Sequence, residues 1–124
     1  MTDLLVEIVP YFNDNYCYLV HETETGETAL FDCGDAKPVI QRLRDKGWNL
    51  TMICVTHFHP DHAGGLGELT QAFPKAKVVK PAGESRLAVS GTEAADGEMI
   101  AFGSRQIKAI SVPAHTKYCT SYFI

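Results

Sequence analysis

Six consecutive residues, Leu50-Thr51-Met52-Ile53-Cys54-Val55, show almost no polar alternation and run straight into Thr56-His57-Phe58-His59-Pro60-Asp61-His62-Ala63-Gly64-Gly65. An apolar run of this kind is what a strand buried on both faces looks like, so the rest of the chain has to cover it from two sides. The flanking patterns supply the cover. Leu4–Val9 reads as a strand stopped by Pro10, Tyr16–Val20 as a second strand after the turn cluster Asn13-Asp14-Asn15, and Thr28–Asp32 as a third after the loop Thr23–Glu27, which together make an antiparallel meander. Lys37–Lys46 reads as a short amphipathic helix, with Pro38 in its first turn, Val39, Ile40 and Leu43 on one face and Gly47 as its stop. Beyond the histidines come a helix over Leu66–Phe73 and a short strand at Lys77–Val79. The polar stretch Gly83–Gly97 is left unassigned, and strands follow at Met99–Phe102 and Gln106–Val112. Pro113–Lys117 is a loop, and Tyr122-Phe123-Ile124 is an apolar strand. Strands interleaved with helices predict an α/β fold, of α+β character, in a single domain over 1–124.

Composition removes several classes of function. With 45% hydrophobic residues and 21% charged, the 124-residue chain can build a core and is not a disordered segment. Eleven Lys and Arg against 15 Asp and Glu give a net charge of −4, with no cationic cluster, so nucleic acid is not an expected partner. No apolar run approaches the roughly 20 residues of a membrane-spanning helix, and Met1-Thr2-Asp3 does not open a signal peptide. No membrane association is expected, and the expected location is cytoplasmic, with a mitochondrial one left open. Cys17, Cys33, Cys54 and Cys119 form no Cys-x-x-Cys pair and read as free thiols, Cys17 and Cys54 as small hydrophobes. The apolar strand at the end of the chain has no polar trimming, so we expect a larger fold or a domain completed by another chain.

Within the motif, three imidazoles and a carboxylate fall in six positions, directly behind a buried strand and ahead of a glycine-rich helix start. His57 and His59, two apart in an extended turn, project to one side and can share a metal. Asp61 and His62 follow where the chain curls into the helix, beside the first pair but facing another point, so the spacing suggests two adjacent ion sites. Gly64 and Gly65 allow close backbone approach. His115, in the loop Pro113-Ala114-His115-Thr116, is the fifth candidate ligand, whereas His21 reads as an exposed side chain.

The pattern His57-x-His59-x-Asp61-His62 resembles the signature of the metallo-β-lactamase superfamily, and the chain looks most like its glyoxalase II (hydroxyacylglutathione hydrolase) branch. Supporting that branch are Asn13-Asp14-Asn15-Tyr16, Asp32-Cys33-Gly34-Asp35, Thr56 before His57, Gly64-Gly65, and Pro113-Ala114-His115-Thr116. The resemblance runs from about Val6 to Ile124 and implies an αββα sandwich, here its first half or a truncated version. It implies zinc as cofactor, two ions in the complete site, with iron or manganese as alternatives. His57, His59 and His115 would hold one ion, and Asp61 and His62 would contribute to the other and to catalysis. Asp32 would support the site from behind, against a plainer reading in which it caps the turn at Gly34. The implied reaction is hydrolysis of a small-molecule glutathione thioester, S-lactoylglutathione to D-lactate and glutathione, by a hydroxide shared between the metals.

Three departures qualify the match. A bridging aspartate and a last histidine would lie beyond Ile124, Cys119 stands where the family usually has a histidine, and Pro60 replaces a frequent aromatic. Two further readings follow. One is a catalytically incompetent metal-binding fragment whose open apolar face drives homo-oligomer formation. The other is an iron-dependent persulfide dioxygenase of the same fold.

Overall fold

The computed structural model describes residues 4–11, 15–56, 64–81, 91–111 and 120–123. In chain order these form β1 (Leu4–Tyr11), β2 (Asn15–Glu22), β3 (Thr28–Phe31), α1 (Ala36–Lys46), β4 (Leu50–Cys54), α2 (Leu66–Ala72), β5 (Lys77–Pro81), β6 (Thr92–Ala94), β7 (Met99–Phe102), β8 (Arg105–Ser111) and β9 (Thr120–Phe123). The first six strands make one sheet in the order β1-β2-β3-β4-β5-β6, and β7-β8-β9 make a second. The expected meander is present, since β1, β2 and β3 pair antiparallel. From β3 through β6 the pairing is parallel.

Strand β4 sits inside this sheet and is covered on both faces. Leu50, Ile53 and Val55 pack with Val39 and Leu43 of α1 and Leu66 and Leu69 of α2. Met52 and Cys54 point the other way, into a second core with Ile100, Phe102, Ile107 and Ala109 of the smaller sheet. The layers are therefore helix, sheet, sheet. At Thr51 the pairing of β3 with β4 slips by one residue. The Thr51 hydroxyl fills the gap, accepting from the Thr28 amide at 3.2 Å and donating to the Thr28 carbonyl at 3.1 Å.

Helix α1 starts one residue before the expected position. Asp35 caps it, its carboxylate accepting from the Lys37 amide, and Pro38 falls in the first turn, where no amide has an intrahelical partner. Gly47, left-handed at φ 70°, ends the helix. Its N–H reaches the Arg44 carbonyl and that of Trp48 the Leu43 carbonyl, the Schellman pattern.

Several expectations are corrected. Strand β1 runs through Pro10 to Tyr11, because an edge strand tolerates a residue with no N–H. Strand β6, within the stretch left unassigned, pairs with β5. It is too short, at three residues, to leave a periodic signal. His21 is not simply exposed. Its ring stacks on Trp48 at 4.4 Å, and Nδ1 lies 2.8 Å from the Thr28 hydroxyl.

A polar tie joins the two sheets at the far end of β2. Glu22 is fully buried. Its carboxylate accepts from the Ser104 amide at 2.9 and 3.1 Å and from the Thr25 hydroxyl at 2.9 Å, with Arg105 Nε at 4.0 Å. Gly103, at φ 59°, makes the turn between β7 and β8, and a Cβ there would collide with this carboxylate. The Ser104 amide, more than any other group, holds the Glu22 pKa below its ordinary 4.5, against the opposing effect of desolvation. A lowered carboxylate pKa stabilises the fold above the unfolded-state value, and that contribution is lost as pH falls through the folded-state value. Glu22→Gln should therefore lower Tm at pH 7 by about 5 °C, and the gap to wild type should narrow as pH drops below 4.5. Thermal unfolding followed by circular dichroism across pH checks this; a gap that stays constant with pH would contradict it.

Candidate metal centre

Strands β3 and β4 run parallel, with Phe31 opposite Cys54, so their C-terminal ends leave the sheet side by side. The chain turns sharply after Phe31. Asp32 is left-handed at φ 66°, a conformation that aspartate tolerates better than most residues but that still needs holding in place. Its amide donates to the Cys54 carbonyl at 2.9 Å. Its carboxylate takes both polar groups of Thr56: Oδ1 accepts from the Thr56 amide and Oδ2 from the Thr56 hydroxyl, each at 2.8 Å. Asp32 is only 7% exposed, which strengthens these charge-assisted bonds. The residue immediately before His57 is thus clamped from an element 24 residues earlier.

The other side of the motif is fastened to the same segment. The Gly65 amide donates to the Cys33 carbonyl at 2.8 Å. A Cβ on Gly65 would lie 2.7 Å from the Ala36 nitrogen and 2.8 Å from Cys33 Sγ. Only glycine lets α2 start this close to the turn before α1. Both flanks of the 57–63 segment, Thr56 and Gly65, therefore bond to residues 32–33.

A third tie comes from the second sheet. Tyr122 in β9 donates its hydroxyl to the Val55 carbonyl at 2.6 Å, with the Val79 carbonyl at 3.5 Å. Its ring meets Phe31 at 5.8 Å and 54°. Strand β9 follows the segment that carries His115, so described anchors flank both stretches in which the sequence placed ligands. Tyr122 was legible only as an apolar strand residue, because nothing local marks a bond across 67 positions.

His57, His59, Asp61, His62 and His115 lie outside the described residues, as do Pro60 and Cys119. Among the described residues no group of three or more His, Cys, Asp or Glu could hold a metal. The donor chemistry of the named set, four imidazoles and one carboxylate, suits zinc, iron or manganese. The described thiols do not compete with it. Cys17, Cys33 and Cys54 are buried, and desolvation above all pushes each pKa up to about 12. They are neutral near pH 7, and neither nucleophiles nor good ligands.

Comparison with known proteins gives a consistent picture. The family model described as Metallo-beta-lactamase superfamily matches residues 10–93. A curated protein of Cereibacter sphaeroides named hydroxyacylglutathione hydrolase is 40% identical over 109 residues, 87% of this chain and 42% of that protein. One of the same name from Maricaulis maris is 39% identical over 117 residues, 94% of this chain and 45% of that protein. The chain spans less than half the length of these relatives. Among solved structures, ETHE1 from Myxococcus xanthus superposes with a TM-score of 0.82 at 22% identity, covering 96% of this chain and 53% of the other. That likeness shows the fold.

The frame makes opposite predictions for two neighbouring glycines. Gly65→Ala should cost about 1–3 kcal/mol, because the backbone at Asp35 and Ala36 and the buried Cys33 sulfur stand in the way. Gly67→Ala, where a Cβ would meet nothing within 4 Å, should stabilise by about 0.5–1 kcal/mol through helix propensity. Asp32→Ala should cost about 2–3 kcal/mol, as two bonds to a charged group are lost. Urea unfolding of the three variants checks these values, and equal effects at Gly65 and Gly67 would contradict the packing described.

Proposed function

Because this chain belongs to the metallo-beta-lactamase superfamily, we propose that it carries the first ligand set of a glyoxalase II type thioester hydrolase. The observation that carries the reading is the His57-x-His59-x-Asp61-His62 signature at the end of a doubly buried strand. The curated relatives named hydroxyacylglutathione hydrolase support the branch. The substrate class is then a small glutathione thioester, S-lactoylglutathione in the first instance, and the products are D-lactate and glutathione. The setting is methylglyoxal detoxification in the cytoplasm.

In this reading His57, His59 and His115 would hold one zinc ion, and Asp61 and His62 would contribute ligands to a second and take part in catalysis. When bound, the metals supply Lewis acidity and lower the pKa of water to about 7. The remaining work belongs to the protein. Asp32 holds the Thr56 amide and hydroxyl, so the peptide entering the ligand run has one orientation. Fixed ligands raise affinity and set the geometry of attack. Self-association belongs to the same proposal: Val6, Ile8, Tyr16 and Tyr18 lie exposed on neighbouring positions of β1 and β2.

Metal content per chain, measured by mass spectrometry on protein purified without chelator, tests the reading directly. Two ions per chain would support a complete site shared with a second copy, and one ion a site limited to the three histidines. No bound metal would overturn the proposal. His59→Ala should lower the content by one ion, because a three-nitrogen site loses most of its affinity with one ligand gone. Asp61→Ala should reduce S-lactoylglutathione cleavage at least about 100-fold while leaving the circular dichroism spectrum unchanged. Oxygen uptake with glutathione persulfide, in place of thioester cleavage, would indicate the dioxygenase reaction instead.

A further inference from the structure

Every buried carbonyl needs a donor, and the one at Val55 has lost its regular partner. In the parallel pairing of β4 with β5 the Val55 amide donates to the Val79 carbonyl at 2.9 Å. The next rung of such a ladder runs from the amide two residues further along β5, at position 81, back to the Val55 carbonyl. Residue 81 is proline and has no N–H to give. The Tyr122 hydroxyl takes its place, 2.6 Å from the Val55 oxygen.

We infer that Pro81 and Tyr122 act together, the proline opening the rung and the tyrosine closing it from the second sheet, so that Tyr122 is a positioning residue for the metal ligands. The inference rests on the metal-site reading above. Val55 precedes His57 by two residues, and β9 is the strand that follows the His115 segment. A sheet amide at position 81 would satisfy the same carbonyl without linking β4 to β9. The hydroxyl does link them, and it thereby fixes the strand leading to two candidate ligands against the strand leaving the third. The tilted contact with Phe31 keeps the ring in place.

The test is a cobalt(II) titration of the full 124-residue chain, followed by visible absorption, with urea unfolding of the metal-free protein alongside. Tyr122→Phe should keep its strand signal in circular dichroism and bind cobalt about tenfold more weakly. Adding Pro81→Ala, which restores an amide at the open rung, should recover metal-free stability but not cobalt affinity, because the link to β9 stays broken. A Tyr122→Phe chain that binds cobalt as tightly as wild type overturns the inference, as does full recovery of affinity in the double variant. Should Tyr122→Phe alone fail to fold, the double variant carries the same comparison. Wild-type chain that takes up no cobalt overturns the metal-site reading itself, an outcome distinct from the others.

Discussion

Leu50, Met52, Ile53, Cys54 and Val55 are all 3% exposed or less, although they alternate between two faces. A strand with no face to give to water cannot lie at a surface, so helices must cover one side and a second sheet the other. That requirement organises the molecule. The apolar stripe of α1 and the two leucines of α2 meet one face, and Ile100, Phe102, Ile107 and Ala109 meet the other. Just past β4, after the buried Val55, the sequence changes at once from apolar to ligand-bearing residues.

A segment that follows such a strand inherits a rigid starting point, but rigidity at one end does not fix a stretch of seven residues. Here both flanks are tied to the same short segment, Thr56 through the Asp32 carboxylate and Gly65 through the Cys33 carbonyl. The left-handed backbone of Asp32 is strain kept because two charge-assisted bonds repay it. The same turn caps α1 through Asp35. One four-residue connection thus starts a helix, receives another, and holds the approach to the candidate ligands.

What could be read from the sequence follows the range of the interaction behind each feature. The double burial of β4, the Gly47 stop and the alternation of β8 are local patterns, visible within a few residues. So is the ligand run, because metal chemistry needs particular side chains at close spacing. Asp32 could be named from its resemblance to a known pattern, but its left-handed turn and its partner Thr56 depend on contact across 24 positions. Nothing in the sequence singled out Glu22. Its burial becomes reasonable only when the Ser104 amide, 82 residues away, arrives to satisfy it. Short β6 was missed for a different reason: three residues in a polar stretch gain strand structure from the neighbour they pair with, not from propensity.

Apolar packing between two sheets is strong but non-directional, and by itself would let one sheet slide or rotate on the other. Two polar ties remove that freedom. Glu22 joins β2 to the turn before β8 at one end, and Tyr122 joins β9 to the end of β4 at the other. Hydrogen bonds add modest net stability but break steeply with misalignment. Their placement at opposite ends therefore specifies the register of the sheets more than it strengthens their contact. That register fixes the end of β4, which leads in sequence into one candidate ligand segment, relative to β9, which follows the other. A metal shared between those segments would need them aligned to within a few tenths of an ångström. Polar ties give such alignment where hydrophobic burial alone does not.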